Sequence, residues 1–288
     1  MDVTASMTTV RRRVDEARAA GKRIGFVPTM GALHAGHVSL MEAAAKRCQY
    51  VVVSIFVNPT QFGPGEDFER YPRDLEADRR ICEQAGVELV FAPGVNDMYP
   101  NRNLTWVTVE DLTDGLCGRL RPGHFRGVTT VCNKLFNIVR PDIAFFGQKD
   151  AQQAIVLRRM AADTNLPLEI DICPTVRDAD GLALSSRNKY LSADERAEAL
   201  LLHKALTTAE AMVRRGERNC QKLAAAMSAV LGWSSGVSVE YVSIVDIETL
   251  SDLAVIANTA LIAVAARVGR TRLIDNIIVD LNKPQGAI

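Results

Sequence analysis

Two histidines three residues apart, His34 and His37, stand in the segment Pro28-Thr29-Met30-Gly31-Ala32-Leu33-His34-Ala35-Gly36-His37. A helix that starts inside this segment turns both rings to one side, where each can donate to a phosphate oxygen or move a proton near neutral pH. Gly31 and Gly36 let main chain come close to a ligand. A helix amino terminus adds unpaired N–H groups and a positive dipole end, so phosphate can sit here without a basic patch. The competing reading is that the two histidines only cap or pack a helix start. That reading suits one isolated His better than two on a glycine-flanked turn behind a strand. Spacing removes other motifs: Gly25 and Gly31 enclose five residues and lead into Ala32, which is not a Walker A loop, and Gly63-Pro64-Gly65 meets Phe68 where a third dinucleotide-loop glycine belongs. A zinc site would need a third ligand from His124 or His203, the remaining histidines.

Three further segments carry polar groups at the ends of strand-like runs. In Asn58-Pro59-Thr60-Gln61-Phe62-Gly63 the two amides can donate and accept, which suits a small substrate with hydroxyl and carboxylate groups, although Asn-Pro is also plain turn chemistry. In Gly147-Gln148-Lys149-Asp150-Ala151-Gln152-Gln153, Lys149 can bind phosphate as a mobile point charge, Asp150 can accept from a ribose or cap a helix, and Gln153 lies one turn further on. A capped helix with a surface lysine explains this segment equally well. Leu184-Ser185-Ser186-Arg187-Asn188 sets two hydroxyls before a guanidinium, a dense group of anion donors that also reads as an ordinary Ser/Asn turn. The mixed-charge run from Glu66 to Arg80 reads as an exposed helix face with no chemistry.

The elements that must position these groups alternate. Ile24–Val27, Tyr50–Val57, Val87–Phe91, Ile143–Phe146 and Leu168–Cys173 are near-continuous apolar runs, the mark of strands covered on both faces. Amphipathic stretches fill the gaps, among them Val38, Met41, Ala45 and Cys48, and Val131, Leu135, Ile138 and Val139 before Pro141. The expected fold class is therefore α/β: a Rossmann-like parallel sheet with helices on both faces, binding ligands beyond the carboxyl ends of its strands. After Val176 the texture changes. Helical stretches at Ala193–Arg215 and Asn219–Leu231 precede strand-like runs at Val237–Val245, Ala260–Val268 and Thr271–Val279, which predicts a smaller α+β carboxy-terminal domain with an antiparallel sheet. The domains expected are residues 1–176 and 177–288, and a loop at that junction can close over a ligand.

Composition narrows the partners. The 288 residues carry 34 Lys plus Arg against 34 Asp plus Glu, so no net charge draws the chain to nucleic acid or to an anionic membrane. Charges interrupt every apolar run in the first 23 residues, and Leu253–Ala266 is too short and too polar to span a bilayer, which predicts a cytoplasmic protein. The six cysteines form no CxxC pair and read as small core residues.

Taken together, PTMGALHAGH, IFVNPTQFGPGEDFERYP, FFGQKDAQQ and PTVRDADGLALSSRN resemble the pantoate–β-alanine ligase (pantothenate synthetase) family, in order and across the whole first domain. The HxGH element alone resembles the wider nucleotidylyltransferase and class I aminoacyl-tRNA synthetase superfamily. There Leu184-Ser185-Ser186-Arg187 would take the place of a KMSKS loop without its lysines. The resemblance implies adenylation of pantoate by ATP, with Mg²⁺, followed by attack of β-alanine and release of AMP. It implies ATP contacts from Met30, Gly31, Ala32, Leu33, His34, Ala35, Gly36 and His37, from Gly147, Gln148, Lys149 and Asp150, and from Val176, Leu184, Ser185, Ser186 and Arg187. His37 would be the proton donor, assisted by His34, Lys149, Ser185, Ser186 and Arg187. Gln61 and Gln153 would bind pantoate, and the family implies a homodimer with a lid-like second domain. Leu184 stands where relatives can carry Met, and Ala151 where they can carry Tyr. Asn58, Arg121 and Ser234 are contributors or bystanders. Two rivals stand beside this reading: a transferase that stops at nucleotide transfer, and a silent nucleotide-binding regulator.

Overall fold

The computed structural model describes residues 1–282. The chain runs β1 (Asp2–Thr4), α1 (Met7–Ala19), β2 (Ile24–Thr29), α2 (Ala35–Arg47), β3 (Tyr50–Ile55), α3 (Leu75–Gln84), β4 (Leu89–Phe91), α4 (Val95–Met98), α5 (Leu116–Leu120), α6 (His124–Val139), β5 (Ile143–Gly147), α7 (Ala151–Asp163) and β6 (Glu169–Cys173). The expected parallel sheet is present, six strands in the order β1-β4-β3-β2-β5-β6. Its strands read as unbroken apolar runs because both faces are covered. Phe26, Val52, Leu89, Ala144 and Phe146 pack with side chains of α1, α6 and α7 on one face. Val27, Val51, Val53, Val90 and Phe145 pack with those of α2 and α3 on the other. β1 escapes the sequence reading because three residues carry no periodicity; it finds its place by pairing with β4, Val3 opposite Val90.

The strand order reverses between β2 and β5, which pair through Gly25 with Ile143 and Phe26 with Ala144. At such a reversal the loops leaving neighbouring strands diverge to opposite faces and open a crevice beyond the carboxyl ends. The loop after β2 is the His34–His37 segment, and β5 closes on Gly147.

The later chain forms α8 (Ala193–Arg214), α9 (Cys220–Leu231), β7 (Val237–Asp246), β8 (Thr259–Val268) and β9 (Thr271–Asp280). The three strands make an antiparallel sheet in the order β7-β8-β9, closed between the last two by Gly269 at φ +55°. Leu202, Leu206, Leu223, Met227, Ile262, Val264 and Leu273 form its core with the two helices. Packing divides the chain into two compact units that no single cut separates. Lys149–Gln152 and Asp114–Cys117 pack with the residues from Thr175 onward, so Val176 also belongs to the second unit. All six cysteines are buried and unbridged, and among the described residues no helix is long and apolar enough to cross a membrane.

Candidate active site

His34 and His37 build the start of α2 themselves. His34 is the N-cap residue, extended at φ −145°, and its Nδ1 accepts the Gly36 N–H at 3.1 Å. His37 Nδ1 reaches back to accept the His34 N–H at 3.3 Å, which completes a reciprocal capping box made of two imidazoles. An Nδ1 that accepts carries no hydrogen, so both rings are held as the Nε2–H tautomer. The ring centroids lie 4.2 Å apart with planes tilted by 45°, which sets both rings on one side of the helix start. The capping role is thus present through both Nδ1 atoms, and it leaves the Nε2 atoms outside the capping box.

The main chain of this loop departs from the expectation of bare amides. Gly31 N–H donates to Thr29 Oγ1 at 3.1 Å, and His37 N–H to the His34 carbonyl at 2.8 Å. Ala32 and Leu33 donate to the two carboxylate oxygens of Asp78 on α3, at 3.0 and 2.8 Å. With His34 and Gly36 N–H engaged by the rings, nearly every amide from Gly31 to His37 is already spent within the protein. Asp78 is 2% exposed, which corrects the reading of Glu66–Arg80 as a solvated face without function. It fixes a strained turn: Gly31 has φ +81° and Ala32 φ +51°, a left-handed conformation that a residue with a Cβ adopts only where its surroundings demand it.

Gln61 sits in a 3₁₀ turn, Pro59–Gln61, and is 9% exposed. Its amide lies 3.1 Å from Met30 Sδ, beside the histidine loop. Asn58, 1% exposed, donates to Gln61 Oε1 at 3.1 Å and to the Gly127 carbonyl at 3.2 Å, and accepts from Tyr99 Oη at 3.0 Å. Gly127 is required on α6 because a Cβ there would meet the Thr60 carbonyl oxygen at 2.4 Å. Arg121 forks onto Glu66 at 2.7 and 2.6 Å and donates to His124 Nε2 at 3.0 Å, so His124 carries its hydrogen on Nδ1 and gives it to the Gln61 carbonyl at 2.8 Å. Burial pushes the Glu66 carboxyl up, but the bonds and charge of Arg121 outweigh it and hold Glu66 below the usual carboxylate range. Asn58 and Arg121 are thus neither ligands by default nor bystanders: both hold Gln61.

In the second unit, residues from Val176 to Leu184 form a hairpin. Leu184 N–H donates to the Val176 carbonyl at 3.0 Å and Asp178 N–H to the Leu182 carbonyl at 2.9 Å. Gly181 turns it at φ +95°, where a Cβ would strike His203 Cδ2 of α8 at 2.4 Å. Arg196 ties the hairpin to α8 through Asp178 and Asp180, at 2.8 and 2.7 Å. The hairpin delivers Ser185, whose Oγ accepts the Arg187 N–H at 3.3 Å and caps a 3₁₀ turn over Ser186–Tyr190, with Ser186 buried. Lys149 lies in the 3₁₀ turn Gln148–Asp150 that leads into α7. Ser234 donates to Glu198 at 2.5 Å and accepts from Gly236 N–H, so it is structural.

The family model described as pantoate-beta-alanine ligase matches residues 2–278. The pantothenate synthetase of Moorella thermoacetica is 54% identical over 98% of this chain and 100% of its own length. The chain belongs to the pantoate–β-alanine ligase family. The crystal structure of pantothenate synthetase from Thermus thermophilus superposes with a TM-score of 0.92 at 45% identity, over 96% of this chain and 99% of that one. A pantoate-beta-alanine ligase from Francisella tularensis, solved with beta-gamma ATP and beta-alanine, superposes with a TM-score of 0.78 at 32% identity, over 96% and 97%.

In this member of the ligase family, the structure gathers Met30, His34, His37 and Gln61 with Asn58 and Arg121 in the first unit. It places Lys149, Asp150, Val176 and Leu184 to Arg187 in the second. Gln153 lies partly exposed on α7, and Gly147 closes β5. Sequence reasoning missed Asp78, Glu66 and His124. Glu66 lies inside the motif from Ile55 to Pro72 but reads with the exposed run, His124 is weighed only as a zinc ligand, and an acidic residue in a charged run such as Asp78 signals burial only through its helical phase against the loop it serves.

Proposed function

We propose that the chain condenses pantoate with β-alanine in two steps. A pantoate carboxylate oxygen attacks the α-phosphorus of ATP, and pyrophosphate leaves as pantoyl adenylate forms. The β-alanine amine then attacks the acyl carbon, sheds a proton, and AMP leaves as pantothenate forms. The paired Nε2–H tautomers of His34 and His37 carry this reading: two preoriented neutral donors suit charge that builds on a triphosphate, and no protein nucleophile is needed.

From the first unit we assign ATP to Met30 through His37 and to Gly147 and Gln148, and pantoate to Gln61 and Gln153. From the second we assign to the nucleotide Lys149, Asp150, Val176, Leu184, Ser185, Ser186 and Arg187, with Lys149, Ser185, Ser186 and Arg187 meeting phosphate. Mg²⁺ would arrive on the nucleotide and neutralise phosphate charge. Among the described residues no three His, Cys, Asp or Glu side chains converge on a metal position, and Mg²⁺ prefers phosphate oxygens and water to an all-protein cage. A cytoplasmic homodimer completes the reading, with sedimentation velocity as the check on its assembly.

The test is product analysis with ATP, Mg²⁺ and pantoate, with and without β-alanine. AMP and pantothenate appearing together only when β-alanine is present supports the ligase. Pyrophosphate release indifferent to pantoate and β-alanine supports a transferase with another acceptor, and ATP binding without turnover supports a silent regulator.

A further inference from the structure

Strand β9 carries two polar residues in succession, Asp275 and Asn276, each 4% exposed. Successive strand residues point to opposite faces of a sheet. Asp275 accepts a two-pronged bond from Arg177, Nη1 to Oδ2 at 2.6 Å and Nη2 to Oδ1 at 2.9 Å. Arg177 also donates to the Gly181 carbonyl at 3.2 Å and bridges Ala183 across the hairpin, so the pair clamps the hairpin that leads into Ser185, Ser186 and Arg187. On the other face, Asn276 Nδ2 donates to the Lys149 carbonyl at 2.9 Å. One strand thus grips, through adjacent residues, the two separate segments that bring cationic and hydroxyl donors.

We propose that Asp275 and Asn276 are positioning residues for ATP binding: β9 sets the Lys149 segment and the Ser185–Arg187 turn in fixed register through one main-chain bond and one buried ion pair. This rests on the assignment of Lys149 and Arg187 to ATP phosphates. Physically the arrangement suits its task. Lys149 and Arg187 have long flexible side chains, and the chain at their base must be fixed if their ordering is not to cost affinity. Neither Asp275 nor Asn276 is proposed to touch substrate.

The experiment measures ATP affinity by calorimetry and full steady-state kinetics on the whole chain, in two double-mutant cycles. Asn276→Ala, which removes the donor to the Lys149 carbonyl, is combined with Lys149→Ala. Asp275→Asn is combined with Arg187→Ala, and Arg177→Lys stands in for Asp275→Asn if the latter does not fold. Asn276→Ala is expected to weaken ATP binding by about tenfold, to leave the pantoate KM within about twofold, and to add almost nothing on top of Lys149→Ala. The Asp275 arm is expected to be equally non-additive with Arg187→Ala. Folded variants with unchanged ATP affinity, or losses that multiply fully with Lys149→Ala and Arg187→Ala, overturn the proposal. Because ATP affinity is read directly, a wild type that binds ATP but forms no pantoyl adenylate would sink the ligase reading and leave these cycles to decide the positioning role.

Discussion

The carboxylate of Asp78 on α3 accepts the main-chain N–H of Leu33 at 2.8 Å, and through its second oxygen that of Ala32 at 3.0 Å. A side chain from a charged surface run thereby fixes the turn in front of both histidines. Asp78→Asn keeps the volume but presents an NH₂ group to one of two buried donors. We expect a stability loss of about 2–3 kcal/mol in urea unfolding together with weaker ATP binding. Gly31→Ala should act on the same turn, since its φ is +81° and a Cβ would lie 2.7 Å from Asp78 Oδ2. A stable Asp78→Asn protein with wild-type ATP affinity would refute the anchoring role.

The two nitrogens of His34 can be separated by substitution. Asn is a good N-cap residue, so His34→Asn should retain the start of α2 and melt near wild type. It lacks the Nε2–H, and pantoate-dependent pyrophosphate exchange should fall by about 10²–10³-fold. His37→Ala should lose both the capping bond and the donor, and so show a stability loss as well as an activity loss. Full exchange activity in His34→Asn would reduce the histidine pair to a helix cap.

Gln61 is held through its carbonyl by His124 and Arg121 and through its side chain by Asn58. Arg121→Lys keeps the charge and loses the fork onto Glu66. The expected outcome is a pantoate KM raised by about tenfold with the ATP KM little changed. An ATP KM that rose equally would place the network under the nucleotide instead.

His203 is held below its ordinary value of 6.5, first by burial and then by the charge of Arg177, and its Nδ1 is buried without a hydrogen-bond partner. A histidine whose folded-state value is depressed binds its proton more readily in the unfolded chain. Stability should be full above about pH 6.5 and should decline as pH falls below it toward the folded-state value. Urea unfolding between about pH 7.5 and about pH 5.5 should therefore show a smaller acid loss in His203→Leu than in wild type. Parallel pH dependences in the two proteins would show that another group sets the acid limb.

Burial pushes the thiols of Cys82 and Cys132 up to about 12 and that of Cys173 to about 11. These three should resist a thiol reagent at about pH 8 in the native protein and react once guanidinium unfolds it. Rapid native-state labelling of any of them, located by peptide mapping, would contradict their place in the core.

Features encoded in short stretches of chain were legible before any fold was known. Unbroken apolar runs at Tyr50–Val57 and Ile143–Phe146 mark the strands found at Tyr50–Ile55 and Ile143–Gly147, and the glycines and histidines behind β2 mark the turn into a helix, because local pattern and spacing encode both. Four ordered motifs carried the family in the same way. Folding alone settled what depends on residues far apart in the chain. Asp78 reaches Leu33 across 45 positions and Asn276 reaches Lys149 across 127, and no local rule matches a buried side chain to so distant a main-chain group. β1 needed a partner strand before three residues could count as one, and Lys149–Gln152 joined the second unit, where β9 holds the Lys149 carbonyl. The tautomers of His34 and His37 belong to the same class, since a ring nitrogen accepts only where the folded loop brings an N–H to it.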